Sequence, residues 1–204
     1  MPINHHLKVV FVHVPKTAGS SIEDALEMRD SEAREEILSG YINNERYKKY
    51  STPWSQHLKA SEISEIKPGV MKEYFSFAVV RNPYERAVSS WLWKQKKGIA
   101  RSGIQLRDFL VLKYSNDNHH LSQVDFITKN EEIIVDKIIR FEELEEGWKE
   151  ICNILGIEKK LPHLNKSSGV DHYSKYYDFE TRRLLERIYW RDLDFFNYKF
   201  SNKV

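Results

Sequence analysis

Hydrophobic positions along the chain fall into short continuous runs separated by amphipathic stretches. The runs cover residues 9–14, 74–80 and 133–141. They are too short for helices and too uniformly apolar for exposed strands, so they predict buried strands of a parallel sheet. The stretches between them repeat apolar residues every three or four positions, which is typical of helices packed on such a sheet. The pattern therefore predicts an α/β fold with a central, mainly parallel sheet flanked by helices.

Apolar spacing and, for some helices, capping residues predict where the helices of this fold begin. The predicted starts are near Ser20, near Ser61, at Pro83, near Ile104, before Trp148 and after Asp178. The start at Pro83 is the best defined, because Asn82 is a favourable N-cap, proline suits the first helical position and Glu85 follows three residues after the cap. Gly156 is typical of the residue that ends a helix.

The turn after the first apolar run combines one lysine with small and hydroxylated residues. It reads Pro15, Lys16, Thr17, Ala18, Gly19, Ser20 and Ser21. At the start of a helix the backbone N–H groups have no helical partners, and small residues let a phosphate approach them closely. Lys16 adds a full charge and the hydroxyl groups add donors, so the turn is a candidate anion site. An ordinary turn with a solvated lysine is the alternative.

The order of residues in this turn argues against a nucleotide triphosphatase. A Walker A loop places its lysine directly after the second of two glycines, whereas Lys16 comes three residues before the only glycine, Gly19. The anion bound here is therefore not expected to be the triphosphate of an ATPase or GTPase.

A second candidate anion site follows the second apolar run. Arg81 stands at the carboxyl end of this predicted strand, directly before Asn82 and the helix start. Ser89 lies seven residues after Asn82, about two turns along the same helix face, and its side chain leans toward the helix start. Arg81 and Ser89 are therefore expected to converge on one anion, at the sheet edge where open α/β proteins bind their ligands.

The composition fits a single domain covering residues 1–204. With 41% of its 204 residues hydrophobic, the chain can bury a sizeable core. Its formal net charge of +2 comes from nearly balanced acids and bases, so no general nucleic-acid surface is expected. Cys152 is the only cysteine, which excludes an internal disulfide and a cysteine-based zinc site. His119 and His120 lack further ligands at helical spacing, so no metal is expected.

The amino-terminal residues bear on location. They lack a basic segment followed by an apolar one, and no stretch of the chain approaches the ~18 apolar residues of a membrane span. We therefore expect a soluble, cytoplasmic protein without a membrane span. The sequence indicates no oligomeric state.

The motifs together resemble those of the sulfotransferases that use 3′-phosphoadenosine 5′-phosphosulfate (PAPS), especially the carbohydrate, or family 2, branch. The turn at 15–21 resembles the family's 5′-phosphosulfate loop, and residues 81–86 with Ser89 resemble its 3′-phosphate segment. Further similar segments are residues 140–144, 161–167 and 192–198. The resemblance spans residues 9–200. It implies the P-loop-like sulfotransferase fold, PAPS as sulfuryl donor, 3′-phosphoadenosine 5′-phosphate (PAP) as product, and no metal.

The resemblance also implies roles for individual residues. The donor would be bound by Lys16, Thr17, Ala18, Gly19, Ser20, Ser21, Arg81 and Ser89, with Lys166 and Ser167 in a loop that closes over it. Lys16 would also be catalytic, because it would stabilise the charge that develops on the leaving 5′-phosphate oxygen. His57 matches the histidine that is the catalytic base in some family members. The competing candidates for the base are His13, His119 and His120.

The reaction implied is transfer of the sulfuryl group from PAPS to a hydroxyl of a carbohydrate or glycoconjugate, by in-line displacement with a histidine base. A non-catalytic PAP- or PAPS-binding module would keep Arg81 and Ser89 and would need no base. A P-loop-like nucleotide kinase is a further alternative, although it should show the Walker order. The acceptor could be a small molecule or a glycan, and the sequence names neither it nor the position sulfated.

Overall fold

The computed structural model describes residues 3–28, 38, 50, 55–112, 118–162 and 171–202. Its strands are β1 (Ile3–Asn4), β2 (Val9–Val12), β3 (Phe75–Val80), β4 (Thr128–Lys129), β5 (Glu132–Ile133) and β6 (Lys137–Arg140). One sheet has the order β1-β2-β3-β6, and β4 and β5 form a separate antiparallel hairpin. β2 and β6 both run parallel to β3, while β1 is antiparallel to β2. The expected mainly parallel sheet is confirmed.

Helices surround this sheet. They are α1 (Gly19–Ala25), α2 (Ala60–Ile66), α3 (Val70–Glu73), α4 (Pro83–Lys96), α5 (Leu106–Leu112), α6 (Val124–Ile127), α7 (Leu144–Leu155), α8 (Phe179–Ile188) and α9 (Trp190–Phe195). Short 3-10 turns occur at 55–57, 118–120, 141–143 and 173–176. Within the described residues, no helix has the length and apolar character needed to cross a membrane.

Both faces of the sheet are covered by helices, because successive side chains of a strand point to opposite faces. On one face, Val9, Phe11, Phe77 and Val79 pack with residues of α1 and α7. On the other face, Val10, Val12, Ala78 and Val80 pack with residues of α2, α3 and α6. This double coverage explains why the strands read as continuous apolar runs. Since both faces of the sheet are covered, the carboxyl ends of β2 and β3 remain as positions for polar groups.

A third apolar cluster supports the helix that follows β3. Its members come mainly from α4, α5 and α8 and include Tyr84, Val88, Phe109, Leu110 and Leu185. Asn82 caps α4 as predicted, since its side-chain oxygen accepts a hydrogen bond from the backbone N–H of Tyr84 at 3.0 Å. Glu85 does not complete a capping box and instead pairs with Arg81. The first turn of α4 is thus fixed by the Asn82 cap and by the ion pair between Glu85 and Arg81.

The third predicted strand, residues 133–141, was wrong in its first half. Ile133 pairs with Thr128 in the β4–β5 hairpin, and the chain enters the main sheet only at Lys137. Between them, the carboxylate of Asp136 accepts hydrogen bonds at 2.7 Å from both the backbone N–H and the hydroxyl of Ser76. The Asp136 carboxylate thus binds two donors of Ser76 just before β6 begins. The spacing of apolar residues gives no sign of such a contact.

Candidate functional site

The turn between β2 and α1 has a backbone suited to an anion. Lys16 (φ 71°) and Ala18 (φ 67°) both adopt the left-handed conformation. Alternation of left- and right-handed residues turns successive N–H groups toward one side and creates a concave anion-binding surface. In the described part of the chain, the first backbone bond into the helix runs from the Ser21 N–H to the Ala18 carbonyl, and no backbone carbonyl accepts from the N–H groups of 17–20.

Gly19 is required in this turn because a histidine ring lies against it. A Cβ atom at Gly19 would come within 1.9 Å of Nε2 of His13. His13 is itself fixed, since its Nδ1 lies 2.7 Å from Oε1 of Glu23 in α1. The hydroxyl of Thr17 donates to the Val14 carbonyl at 2.8 Å, which ties the turn back to the end of β2. The shape of the turn is therefore set before any ligand arrives.

Lys16 extends from this turn toward α4. Its Nζ lies 4.8 Å from the centre of the Trp93 ring, within the range of a cation–π interaction. Burial, followed by the charge of Arg81, lowers the pKa of Lys16 from 10.5 to about 8. Lys16 is therefore mostly protonated at pH 7, but its charge is costly in this environment. An anion in the turn would relieve that cost.

Arg81 is held on several sides at the end of β3. Its backbone N–H donates to the amide oxygen of Gln123 at 2.9 Å, and its carbonyl accepts from the same side chain at 2.8 Å. Its guanidinium donates to the Lys16 carbonyl at 3.2 Å, pairs with Glu85 at 2.9 Å and lies 4.0 Å from the centre of the Phe141 ring. The side chain is only 11% exposed, yet among the described residues no atom accepts a hydrogen bond from its Nε.

An unpartnered, buried Nε on a fixed guanidinium is informative, because buried polar groups nearly always have partners. Guanidinium groups bind phosphates through paired N–H donors. Arg81 therefore fits a phosphate group as its missing partner. Ser89 lies half-buried two turns along α4 from Asn82.

The similar segments noted at 140–144 and 192–198 meet beside Arg81. A carboxylate oxygen of Glu142 accepts from the Asn82 N–H at 2.7 Å, and the other accepts from the Tyr198 hydroxyl at 2.9 Å. The fully buried carboxylate of Asp192 accepts from the N–H groups of Gln123 and Val124 at 2.9 and 3.0 Å. These contacts fix the segment that in turn holds the backbone of Arg81.

Arg86 joins the turn to the rest of the site. This buried guanidinium donates from Nε to the Pro15 carbonyl at 3.1 Å, from Nη1 to the Leu121 carbonyl at 2.9 Å and from Nη2 to the His119 carbonyl at 3.2 Å. Three backbone segments are therefore held at one point. Because its guanidinium donates to these three carbonyls, Arg86 positions the backbone segments and is not expected to bind an anion.

Three histidine rings lie in a row next to Lys16. The centres of the His13 and His57 rings are 4.4 Å apart, those of His57 and His119 are 5.6 Å apart, and His119 stacks on Trp93 at 5.3 Å. Nδ1 of His57 donates to the His13 carbonyl at 3.2 Å, so the neutral ring carries its lone pair on Nε2. Burial, followed by the charge of His13, lowers the pKa of His57 well below its usual value.

The remaining expected site residues have different surroundings. Residues 118–120 form a 3-10 turn in which Asn118 and His119 are buried. His120 lies 3.3 Å through Nε2 from Nζ of Lys94. Lys166 and Ser167 lie outside the described residues. No three His, Cys, Asp or Glu side chains in the described ranges are grouped so that they could hold a metal ion.

Sequence reasoning missed Trp93 of α4, whose ring centre lies 4.8 Å from Nζ of Lys16. A signal was available, because Trp93 follows Ser89 by four residues and so falls on the same helix face. It also missed Gln123 and Glu23, whose partners are 42 and 10 residues away. No local pattern marks such contacts.

The arrangement defines an α/β protein with a candidate anion site, a fixed arginine and a histidine cluster at the carboxyl ends of two neighbouring parallel strands. The chain belongs to the sulfotransferase family, whose family model matches residues 1–199.

Individual relatives are more distant. Carbohydrate sulfotransferase 10 of Xenopus laevis is 23% identical over 239 residues, and the match covers 94% of this chain and 65% of that protein. The chain thus spans slightly less than two thirds of the length of that relative. An uncharacterized protein of Archaeoglobus fulgidus is 26% identical over 102 residues, which are 50% of this chain and 84% of that protein. The crystal structure of a sulfotransferase from Alicyclobacillus acidocaldarius aligns with 95% of this chain and 87% of that chain, at 15% identity and a TM-score of 0.42.

Proposed function

We propose that this protein transfers a sulfuryl group from PAPS to a hydroxyl group of a carbohydrate or glycoconjugate. The observation that carries the proposal is the pairing of a preformed anion turn with the buried Nε of Arg81, which has no hydrogen-bond partner among the described residues. Two separate phosphate-binding positions suit a donor with phosphate at both ends of its adenosine. When bound, PAPS supplies an activated sulfuryl group whose leaving oxygen belongs to the 5′-phosphate.

Arg81 and Ser89 would hold the 3′-phosphate of the donor. Arg81 offers its Nε from a position fixed by Gln123 and Phe141, so little side-chain freedom is lost on binding. The N–H groups of residues 17–20, with the hydroxyls of Ser20 and Ser21, would bind the phosphosulfate end. Lys166 and Ser167 are proposed to close over the donor on the strength of the motif resemblance alone.

Lys16 would act in the chemical step. Negative charge grows on the leaving oxygen as the sulfuryl group departs, and a cation beside it stabilises the transition state more than the ground state. The pKa of Lys16 is lowered to about 8, so its positive charge is unfavourable in the free protein. A bound anion would stabilise that charge.

His57 would be the base that takes the proton of the acceptor hydroxyl. Its pKa is lowered by burial and by His13, so the ring is neutral at pH 7. Its hydrogen bond to the His13 carbonyl places the lone pair on Nε2. His13 is already engaged with Glu23, and His120 lies against Lys94, which makes both less suited to the role.

The acceptor class rests on the similarity to carbohydrate sulfotransferase 10, of which this chain matches 65%. A carbohydrate acceptor, and the cytoplasm as its location, remain proposals for this chain. The experiment is a screen of glycans and small alcohols with labelled PAPS and the purified protein. We expect sulfated product from at least one hydroxyl acceptor, and no product from the His57→Ala protein.

PAP binding to the same preparations separates the possible failures. Turnover that is lost in His57→Ala while PAP affinity stays within a few-fold of wild type supports His57 as the base. Because its pKa is lowered, the acidic limb of the kcat/KM profile should lie below pH ~6.5, the usual histidine value. PAP binding without turnover on any acceptor would instead indicate a non-catalytic PAP-binding module. Absence of PAP binding would overturn the proposal.

A further inference from the structure

The indole ring of Trp93 lies against the Lys16 ammonium group and has no role in the mechanism above. Nζ of Lys16 is 4.8 Å from the ring centre, within the ~6 Å range of a cation–π contact. In the part of the chain that the structure describes, this ammonium group forms no ion pair and no hydrogen bond. Among the described side chains, the Trp93 ring is therefore the group that stabilises the cation.

The titratable groups around Lys16 do not compensate its charge. Burial, followed by the charge of Arg81, lowers the pKa of Lys16 from 10.5 to about 8. Arg86 is a further cation, and its Nε donates to the backbone carbonyl just before Lys16. The rings of His57 and His119 are neutral at pH 7, because burial lowers the pKa of each ring well below its usual value. The face of an aromatic ring, in contrast, attracts a cation through its π electrons.

The Trp93 ring and the anion turn are fixed relative to each other. The His119 ring stacks on Trp93, with ring centres 5.3 Å apart and an angle of 26° between the planes. The His119 carbonyl accepts from Nη2 of Arg86 at 3.2 Å, and Nε of the same guanidinium donates to the Pro15 carbonyl at 3.1 Å. One buried arginine thus joins the stack on Trp93 to the residue that precedes Lys16.

The contact with Trp93 is compatible with an anion in the turn. An ammonium group has three N–H donors, and one ring contacts only one side of it. The other donors remain for a phosphate or phosphosulfate group. Because a cation–π contact favours charged over neutral lysine, it also favours the form of Lys16 that binds an anion.

We propose that Trp93 is a positioning residue for Lys16: its ring holds the ammonium group beside the anion turn and favours the protonated form of the lysine. The importance of this charge for the chemical step rests on the proposed function. The titration of Lys16 and its effect on nucleotide binding do not, so both can be measured without an acceptor or a sulfuryl donor.

The first experiment replaces Trp93 alone with fluorinated tryptophans in the full chain. Fluorine withdraws electron density from the ring face and changes the shape little, so packing is retained while the attraction for a cation weakens. With tetrafluorotryptophan we expect the pKa of Lys16 to fall from about 8 to about 7.5, and with difluorotryptophan to fall by less. NMR of isotope-labelled lysine side chains measures this titration, with Lys16 assigned from Lys16→Met. An unchanged titration of Lys16 would overturn the proposal.

Binding of adenosine 5′-phosphate separates this role from a purely structural one. The nucleotide binds protonated Lys16, so its affinity follows the protonated fraction. If the pKa falls from about 8 to about 7.5, that fraction falls from about 0.24 to about 0.09 at pH 8.5, but only from about 0.91 to about 0.76 at pH 7. Calorimetry should therefore show roughly 2.6-fold weaker binding at pH 8.5 and almost unchanged binding at pH 7. Equal losses at both pH values would mean that Trp93 supports the fold and not the charge.

Two ordinary substitutions provide a second test. Trp93→Phe keeps a smaller aromatic face, and Trp93→Leu keeps an apolar side chain without one. Affinity for adenosine 5′-phosphate at pH 8.5 should therefore fall from wild type to Trp93→Phe and further to Trp93→Leu. Wild-type affinity in Trp93→Leu at this pH would contradict the role of the ring.

Tetrafluorotryptophan at position 91 is the matched control, because Trp91 lies on the same helix but faces other residues. Its Nε1 donates to the Ile104 carbonyl at 2.9 Å, and its ring meets Tyr176 edge-on at 5.5 Å. This protein should keep the wild-type titration of Lys16 and the wild-type affinities. If position 93 gives the expected shifts but no acceptor is ever sulfated, the role of Trp93 is supported and the proposed reaction is not.

Discussion

Lys16 and Arg81 both serve the candidate donor site, but they are built in opposite ways. Arg81 is held by Gln123, Glu85 and Phe141, and its Nε has no hydrogen-bond partner among the described residues. Lys16 lies at the tip of a turn with its ammonium group over an aromatic ring. The Arg81 guanidinium is a fixed fork with a permanent charge, and the Lys16 ammonium is a point charge whose pKa is lowered to about 8.

The difference suits the two residues to different steps of the proposed reaction. A rigid, permanent fork reads the shape of a phosphate and should govern which nucleotide binds. The positive charge of Lys16 is unfavourable in the free protein and interacts most favourably with negative charge that forms during the reaction. Lys16 should therefore govern the rate. In the proposed reaction, binding specificity and chemistry would thus be separated between two neighbouring strand ends.

The largest effect is expected from Lys16→Ala. Loss of one well-placed electrostatic stabiliser should lower kcat by roughly 10²-fold or more, with a much smaller change in PAP affinity. Single-turnover measurements with labelled PAPS test this, with Lys96→Ala at the exposed end of α4 as control. An unchanged single-turnover rate would contradict the assignment.

Stability should change in the opposite direction when Lys16 is replaced by an uncharged residue. Folding lowers the pKa of Lys16, so the unfolded chain holds this proton more firmly and the lysine costs stability at pH 7. That cost fades as the pH rises through about 8 and beyond. We therefore expect Lys16→Met, which retains most of the packing, to leave Tm unchanged or raised while activity is lost.

Arg81→Lys should affect binding more than rate. The point charge of lysine cannot reproduce the fork, so the variant should lose about 10- to 100-fold in preference for PAP over adenosine 5′-phosphate, as for a lost charged hydrogen bond. Calorimetry of both nucleotides measures that ratio. Arg101→Lys, an exposed change, should leave it intact. The same ratio in wild type and Arg81→Lys would remove Arg81 from the 3′-phosphate site.

The two regions also differ in how far the sequence predicted them. The turn from Pro15 to Ser21 was recognised because its small residues, lysine and helix start are contiguous. The position of Arg81 was predicted from the strand and the Asn82 cap. The residues that hold Arg81 could not be assigned, because Gln123 and Phe141 come from segments 42 and 60 residues further along the chain. Contacts of that separation depend on how the strands are ordered in the sheet, which periodicity does not specify.

His57 illustrates the same limit at the proposed reaction centre. Its family match and its place before α2 were visible in the sequence, and α2 does begin three residues later, at Ala60. The row that His57 forms with His13 and His119 was not visible in the sequence, although all three residues are candidates for the base. The rings meet only because β2, the 55–57 turn and the 118–120 turn end at one sheet edge. Three rival candidates are thus one cluster.

A smaller effect is expected from Phe141→Leu, which removes the ring beneath the Arg81 guanidinium but keeps an apolar side chain. A lost cation–π contact at a partly buried site should weaken PAP binding by roughly 3- to 30-fold. Binding of adenosine 5′-phosphate should not change, because that nucleotide lacks the phosphate that Arg81 reads. Phe195→Leu, at an exposed ring, is the control. Equal weakening for both nucleotides would mean that Phe141 supports the fold rather than the arginine.

The smallest expected effect, and the sharpest separation of the two cations, comes from pH alone. A nucleotide 5′-phosphate prefers protonated Lys16, so binding must raise the pKa of Lys16 above about 8 and take up a proton where the free protein has lost it. Between pH 7 and 8.5 the protonated fraction falls from about ten elevenths to about one quarter, so PAP affinity should fall roughly fourfold. Arg81 does not titrate in this range, so the preference for PAP over adenosine 5′-phosphate should stay constant while both affinities fall together. Calorimetry in two buffers of different ionisation enthalpy should detect the proton uptake in wild type and none in Lys16→Arg. A fourfold loss that persists in Lys16→Arg would place the titrating group elsewhere, and a flat wild-type profile would show that Lys16 keeps its ordinary pKa in the free protein.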